Sequence, residues 1–430
     1  GPSRTDRKDG IRNKDWFLTL GGDGHQPAIE PGNPDIMYSQ WQQGNLNRYD
    51  RKTGENVYIK PQPGQNDPAE RFNWDAPIKV SAHDPKRLYF ASQRVWRSDD
   101  RGDSWTPLSG DLTKNGDRMQ MPVMGRTWSV EAGWDIYAMS NYHTVANFAE
   151  SPIDENILWV GTDDGLIQVT LDGGKTWKKI DLGEIRGVPA TAYVNDIRAD
   201  LYDPNTVYVA LDNHKYGDFT PYLIKSTNLG KKWTSLAKSL PEKHLVWRIV
   251  QDHVNKDLMF IGTEFGIFFT VDGGKKWLEL NGKMPTISTR DVKIQRREND
   301  LVAGTFGRGI YILDDYAPLR ELNEKSMEKD ALLIAPSRPA KWFHLDDKHS
   351  DSDGNDRYAA KNPAHGATLT YFLKESLLTA KEKRQVDEKN MVKDEKYPTY
   401  PAWQDIEAEN QEAKPAVYIE INDAQGALVN

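Results

Sequence analysis

The chain has 430 residues, no cysteine, and 64 acidic against 56 basic side chains, for a net charge of −8 at pH 7. That length is ample for a large core, the missing cysteines exclude disulfides and Cys-based metal sites, and the acidic balance argues against non-specific binding to a phosphate backbone. No stretch approaches the roughly 18 apolar residues of a membrane-spanning helix.

Taken in chain order, Gly1–Arg4 read as the inside of a longer chain, and Trp16–Leu20 as the fourth strand of a sheet. Six apolar strands then follow, each introduced by a polar turn: Asn33–Tyr38, Asp84–Phe90, Asp154–Val160, Asp203–Val209, Asn255–Ile261 and Glu298–Ala303. With Tyr38, Tyr89, Trp159, Tyr208, Met259 and Val302 as markers, the steps are 51, 70, 49, 51 and 43 residues. A period near 50 with several short strands per unit predicts propeller blades. Within a unit, a half-buried first strand (Ala76–Ser81, Val194–Ala199, Val246–Gln251, Thr289–Gln295) precedes the marker strand. A third strand such as Gly165–Thr170 or Gly266–Thr270 follows it, and a hairpin leads to the fourth. The predicted class is all-β, a propeller of four-stranded blades over residues 1–321 with six blades visible between about Asp15 and Asp315.

The hairpin carries a motif, Ser/Thr-x-Asp-x-Gly-x-x-Trp. It occurs at Ser98, Asp100, Gly102 and Trp105; at Thr170, Asp172, Gly174 and Trp177; and at Thr270, Asp272, Gly274 and Trp277. A weakened copy at Ser226, Asn228, Gly230 and Trp233 has Asn in place of Asp. The hydroxyl and carboxylate can bond backbone N–H groups inside the turn, Gly allows the backbone angle, and Trp anchors the outgoing strand between sheets.

After the propeller, residues 322–342 read as a linker and closing strand, and 343–430 as an incomplete β-sandwich. Ala331–Pro336 is an apolar strand in the first of these; the strands after residue 343 would be Ala367–Leu373 and Pro415–Ile421, with a charged helical or disordered insertion at 375–413. Asp351, Asp353 and Asn355 have the oxygen density of a calcium loop, without the Glu that closes an EF-hand; a solvated loop is the alternative. No other cofactor or metal is expected, and the chain is read as cut at both ends.

The motif is the Asp-box, or BNR repeat. With G-T-D-D-G-L at Gly161–Leu166, G-T-E-F-G-I at Gly262–Ile267, G-T-F-G-R-G-I-Y-I-L-D-D at Gly304–Asp315, R-F-N-W-D-A-P at Arg71–Pro77 and S-G-D-L-T at Ser109–Thr113, the chain resembles the sortilin-like, BNR-repeat "glycosyl hydrolase" family of large secreted bacterial proteins. The resemblance implies a secreted or cell-surface protein that binds peptide, protein or polysaccharide, as a scaffold or as a subunit of a larger cell-surface assembly. Sortilin-type receptors and xyloglucanases share the repeat, and both imply more blades than six.

In a propeller the 2–3 and 4–1 loops open on one face and the Asp-boxes on the other. The expected ligand face holds Asp23, His25, Trp41, Gln42, Trp74, Tyr142, His143, Tyr193, Trp247, Arg248, Arg290 and Arg308. Aromatics, amides, arginines and acids converging on a channel mouth suit peptide or sugar. A glycoside hydrolase would need two carboxylates about 5–9.5 Å apart, and Asp23, Asp163, Asp164 and Glu264 are candidates on this face. The stretch most similar to the xyloglucanase catalytic loop, Gln42–Tyr49, has amides where the acid should stand. A binding protein is therefore the leading expectation, a glycoside hydrolase the second, and a structural subunit using blade edges and the 375–413 insertion the third.

Overall fold

The computed structural model describes residues 1–5, 10–23, 26–123, 125–132, 141–282, 284–334, 336, 358–363 and 366–429. Between Gln26 and Leu313 it contains six antiparallel sheets in chain order, arranged as the blades of a β-propeller. Blade 1 comprises Gln26–Ile29, Ile36–Trp41, Asn45–Asp50 and Asn56–Tyr58; blade 2, Ile78–Val80, Leu88–Ala91, Val95–Ser98 and Thr106–Pro107. Blade 3 comprises Val145–Glu150, Leu158–Thr162, Leu166–Thr170 and Lys178–Asp181; blade 4, Tyr193–Ala199, Val207–Asn213, Asp218–Ser226 and Thr234–Ser235. Blade 5 comprises Val246–Gln251, Met259–Thr263, Gly266–Thr270 and Leu278–Glu279. Blade 6 has three strands, Thr289–Gln295, Asp300–Thr305 and Ile310–Leu313.

Polar turns set each first hairpin. The Asp84, Asp154, Asp203 and Asn255 side chains accept from the N–H two residues on at 2.9–3.0 Å. This closes the turn and starts the second strand. Second and third strands such as Leu158–Thr162 and Leu166–Thr170 are buried throughout, because each lies between neighbouring blades and both its faces are covered. The Trp159 indole is fully buried in this packing. In blade 5 the residue equivalent to Trp159 is Phe260, one place after the expected marker Met259, since both stand two residues from the glycine opposite a bulge.

The Asp-boxes fold alike. Ser98, Thr170, Ser226 and Thr270 accept from the N–H of Gly102, Gly174, Gly230 and Gly274 at 2.7–3.0 Å. Asn228 Oδ1 accepts from Lys232 N at 2.8 Å as Asp100 Oδ1 accepts from Ser104 N at 2.9 Å, so the amide substitutes for the acid without a change of geometry. The four glycines have φ of +73° to +99°, and a Cβ on them would meet Ile59, Leu108, Ile180 and Leu236, each near the end of the preceding blade. The indoles of Trp105, Trp177 and Trp277 donate to the carbonyls of Ile59, Leu108 and Leu236. Each box is thus a rivet between one blade and the one before it.

The expected strand at Trp16–Leu20 does not form. Its side chains lean on blade 1, with Phe17 6.3 Å from Tyr49 and Thr19 2.9 Å from Ser39, leaving the backbone outside any ladder. The extended pair in this region is instead Ile11–Arg12 with Ala359–Ala360. The compact unit containing the propeller is 1–323 with 336–368, and the second unit is 324–335 with 369–430. Of the strands expected after the propeller, the described residues contain one pair, Ala331–Ile334 with Thr370–Leu373. Pro415–Ile421 is not a strand: Val417, Tyr418 and Ile421 are exposed, and among the described residues no strand pairs with them. The charged insertion forms helices Ala380–Lys393 and Trp403–Gln411, joined by Arg384 and Glu409 at 2.7 Å, with no buried residue in either helix. Among the described residues no helix is long and apolar enough to cross a membrane.

Candidate functional site

First strands of successive blades pack side by side around the axis. In blades 3 to 6 the first strand slips register against the second between Val145 and Asn147, Val194 and Asp196, Val246 and Arg248, and Thr289 and Asp291. Such a bulge leaves one residue without a ladder partner and re-aims its side chain. Those residues are Ala146, Asn195, Trp247 and Arg290, and all four line one cavity of about 430 Å³ at the channel mouth. Gln26 and Asp75 complete its circuit from blades 1 and 2.

A larger cleft of about 790 Å³ shares Asp75, Tyr193, Asp212 and Lys215 with this mouth. Trp74, Tyr142, Tyr193 and Tyr216 give it aromatic walls, and Asn73, Asp163 and Asn213 add polar groups. The opposing side comes from Arg118, Met121, Pro122, Val123 and Gly125. These belong to the extra residues that stretch the Tyr89-to-Trp159 step to 70. Sequence reasoning did not use that irregular step, yet it marks the segment that walls the cleft. It also passed over Asp212, near the end of the strand Val207–Asn213.

The expected acids occupy four different environments. Asp163 borders the cleft but is only 4 % exposed. Its oxygens accept from Thr144 N at 2.9 Å and Thr144 Oγ1 at 2.6 Å. Burial, more than those bonds offset, pushes its carboxyl up to about 7. A carboxyl tuned to neutrality can hold or release a proton near the operating pH. Asp164 is clamped in the interior by Lys114 N at 2.7 Å, Thr162 Oγ1 at 2.5 Å and His143 Nδ1 at 2.6 Å. Glu264 fixes an aromatic: its Oε2 accepts from the Trp247 indole and the Ser288 hydroxyl, both at 3.0 Å. Asp23 is exposed, lines neither cavity, and its N–H donates to Gln42 Oε1 at 2.9 Å.

Of the expected ligand face, Trp74, Tyr142 and Tyr193 meet in the cleft, and Tyr193, Trp247, Arg248 and Arg290 at the mouth. The Arg290 guanidinium lies 3.7 Å over the Trp247 ring, and the His214 ring meets that indole edge-on at 5.8 Å. Burial raises the Tyr142 and Tyr193 phenols well above the usual range, so both are neutral hydrogen-bond groups. His143 is buried at φ +59°, with its Nδ1 2.6 Å from Asp164 Oδ2. Trp41 and Arg308 are exposed but border neither cavity. His25 and the candidate calcium positions Asp351, Asp353 and Asn355 lie outside the described residues.

No family model and no curated protein matches the chain. Among solved structures it is similar to the GH74 xyloglucanase from Xanthomonas campestris, with 16% identity and a TM-score of 0.47 over 68% of this chain and 44% of that one. It is also similar to YCF48 bound to D1 peptide, with 10% identity and a TM-score of 0.41 over 65% of this chain and 75% of that one. YCF48 from Cyanidioschyzon merolae gives 14%, 0.43, 74% and 90% respectively. The chain thus spans less than half the length of the xyloglucanase.

Proposed function

We propose that this chain is a ligand-binding β-propeller of the sortilin-like, BNR-repeat kind, acting outside the cytoplasm and seating a peptide, protein or glycan segment in the joined mouth and cleft. The supporting observation is the continuity of two cavities of about 430 and 790 Å³ through Asp75, Tyr193, Asp212 and Lys215. Aromatic faces beside carboxylates, amides and a lysine offer stacking and hydrogen bonding to an extended polar chain. A peptide and glycan screen of the protein tests this, with Trp74→Ala and Tyr142→Ala as probes. Each substitution is expected to weaken a captured ligand at least about tenfold. Captured ligands insensitive to both would place binding elsewhere and end the reading.

One observation favours glycan hydrolysis as the second reading: the Asp163 carboxyl, held near neutrality, could act as a general acid. Asp163→Asn would then abolish turnover of a polysaccharide while leaving its binding intact.

A further inference from the structure

At the other end of the channel the first strands carry a second pattern. Ala28, Lys79, Ala149, Arg198, Val250 and Lys293 lie opposite Tyr38, Tyr89, Trp159, Tyr208, Phe260 and Val302. They are equivalent positions in blades 1 to 6, so small apolar residues alternate with cations. Blades 2, 4 and 6 each present one positive side chain, at roughly threefold spacing around the axis.

These cations border a cavity of about 250 Å³, together with Glu150, Gln251 and Arg296. Arg198 is held by Asp196 at 2.9 Å, and Asp291 lies 3.5 Å from Arg248 and 3.8 Å from Lys293. Glu150 is already engaged by Ser81 Oγ, Ala82 N and the Tyr89 hydroxyl. Lys79 makes no hydrogen bond or ion pair with any described residue. Four cations, Lys79, Arg198, Lys293 and Arg296, therefore line this end of the channel with one carboxylate, Glu150, while Asp196 holds Arg198 and Asp291 is shared between Lys293 and Arg248 of the mouth. The balance at this end is positive, and the cavity has room for several heavy atoms.

We infer that the channel end framed by Lys79, Arg198 and Lys293 binds a tetrahedral oxyanion, a phosphate or sulfate group, free or carried on a larger ligand. Three donors around an axis match the three oxygens that such a group can present, and charge-assisted bonds supply the affinity. The cations at this end strain one another electrostatically. Burial first and neighbouring cations second bring Lys79 to about 8, and for Lys293 the Arg198 charge comes first, again to about 8. A bound anion would relieve that strain. The site lies at the opposite end of the channel from the cleft and does not depend on what fills it.

The test is calorimetric titration and thermal unfolding of the intact chain with inorganic phosphate, inorganic sulfate and a hexose phosphate, against chloride at matched ionic strength. Phosphate or sulfate is expected to bind and to raise the melting temperature where chloride does not. Tighter binding of the ester than of either free ion identifies a carried group; the reverse identifies the free ion. Lys79→Gln and Lys293→Gln should each weaken binding at least about tenfold. Each should also raise the melting temperature of the anion-free protein, a readout that confirms folding. Affinity should fall as pH rises past about 8, where the lysines lose their protons. Phosphate and sulfate acting no differently from chloride, or affinities unchanged in both variants, would overturn the inference.

Discussion

Asp163→Asn should change the sign of its effect on stability with pH. The Asp163 carboxyl moves from 3.8 to about 7 in the folded protein, chiefly through burial of a side chain whose residue is 4 % exposed. A tenfold change in a protonation constant is worth about 1.4 kcal/mol. Ionised Asp163 therefore costs the folded state on the order of 4 kcal/mol. Because an acid is raised, the cost is absent below the unfolded value, accumulates as pH climbs from 3.8 to about 7, and is full above it. The asparagine avoids that cost and can keep the bond from Thr144 N. It loses only the acceptor for Thr144 Oγ1 at 2.6 Å, worth about 1 kcal/mol. Urea unfolding followed by tryptophan fluorescence should find the variant about 1 kcal/mol less stable than wild type near pH 4 and about 3 kcal/mol more stable near pH 8. A difference that stays flat across this range would refute the burial argument.

Two further outcomes follow from the rivets and from the turn that carries Asp163. The Trp277 indole donates to Leu236 O at 2.8 Å, whereas the buried Trp233 Nε1 has no partner among the described residues; Trp277→Phe should cost about 1 kcal/mol more than Trp233→Phe in denaturant titrations. At Gly165, φ is +91° and a Cβ would lie 2.2 Å from the Ala190 carbonyl oxygen. Gly165→Ala should therefore destabilise by at least about 2 kcal/mol in thermal unfolding and weaken any ligand held beside Asp163.

The repeat made the blades readable from residues alone. The turn acids, the apolar second strands and the Asp-boxes are local devices, and they form where their spacing places them. The facing of the loops followed from connectivity, which is why Trp74, Tyr142, Tyr193, Trp247 and Arg290 could be assigned to one side. What escaped was set by partners distant in the chain. Asp164 and Glu264 look like Asp163 in sequence, but their partners differ: Lys114 and His143 for Asp164, Trp247 and Ser288 for Glu264. Trp16–Leu20 and Pro415–Ile421 have strand-like composition, but a strand needs a neighbour, and composition does not reveal one. The alternating cations were invisible because their positions become equivalent only once the bulged register is known.

The register slips carry a chemical consequence. Ala146, Asn195, Trp247 and Arg290 stand outside the ladder pairing that constrains their neighbours, while the adjoining Val145, Val194, Val246 and Thr289 are fully buried. The pairing therefore leaves the side chains of the former group to the channel mouth, where Asn195 Nδ2 also donates to Val246 O at 3.0 Å and the Trp247 indole to Glu264. The chemistry of the channel mouth is thus written chiefly at four positions, here alanine, asparagine, tryptophan and arginine, that the ladder itself does not dictate.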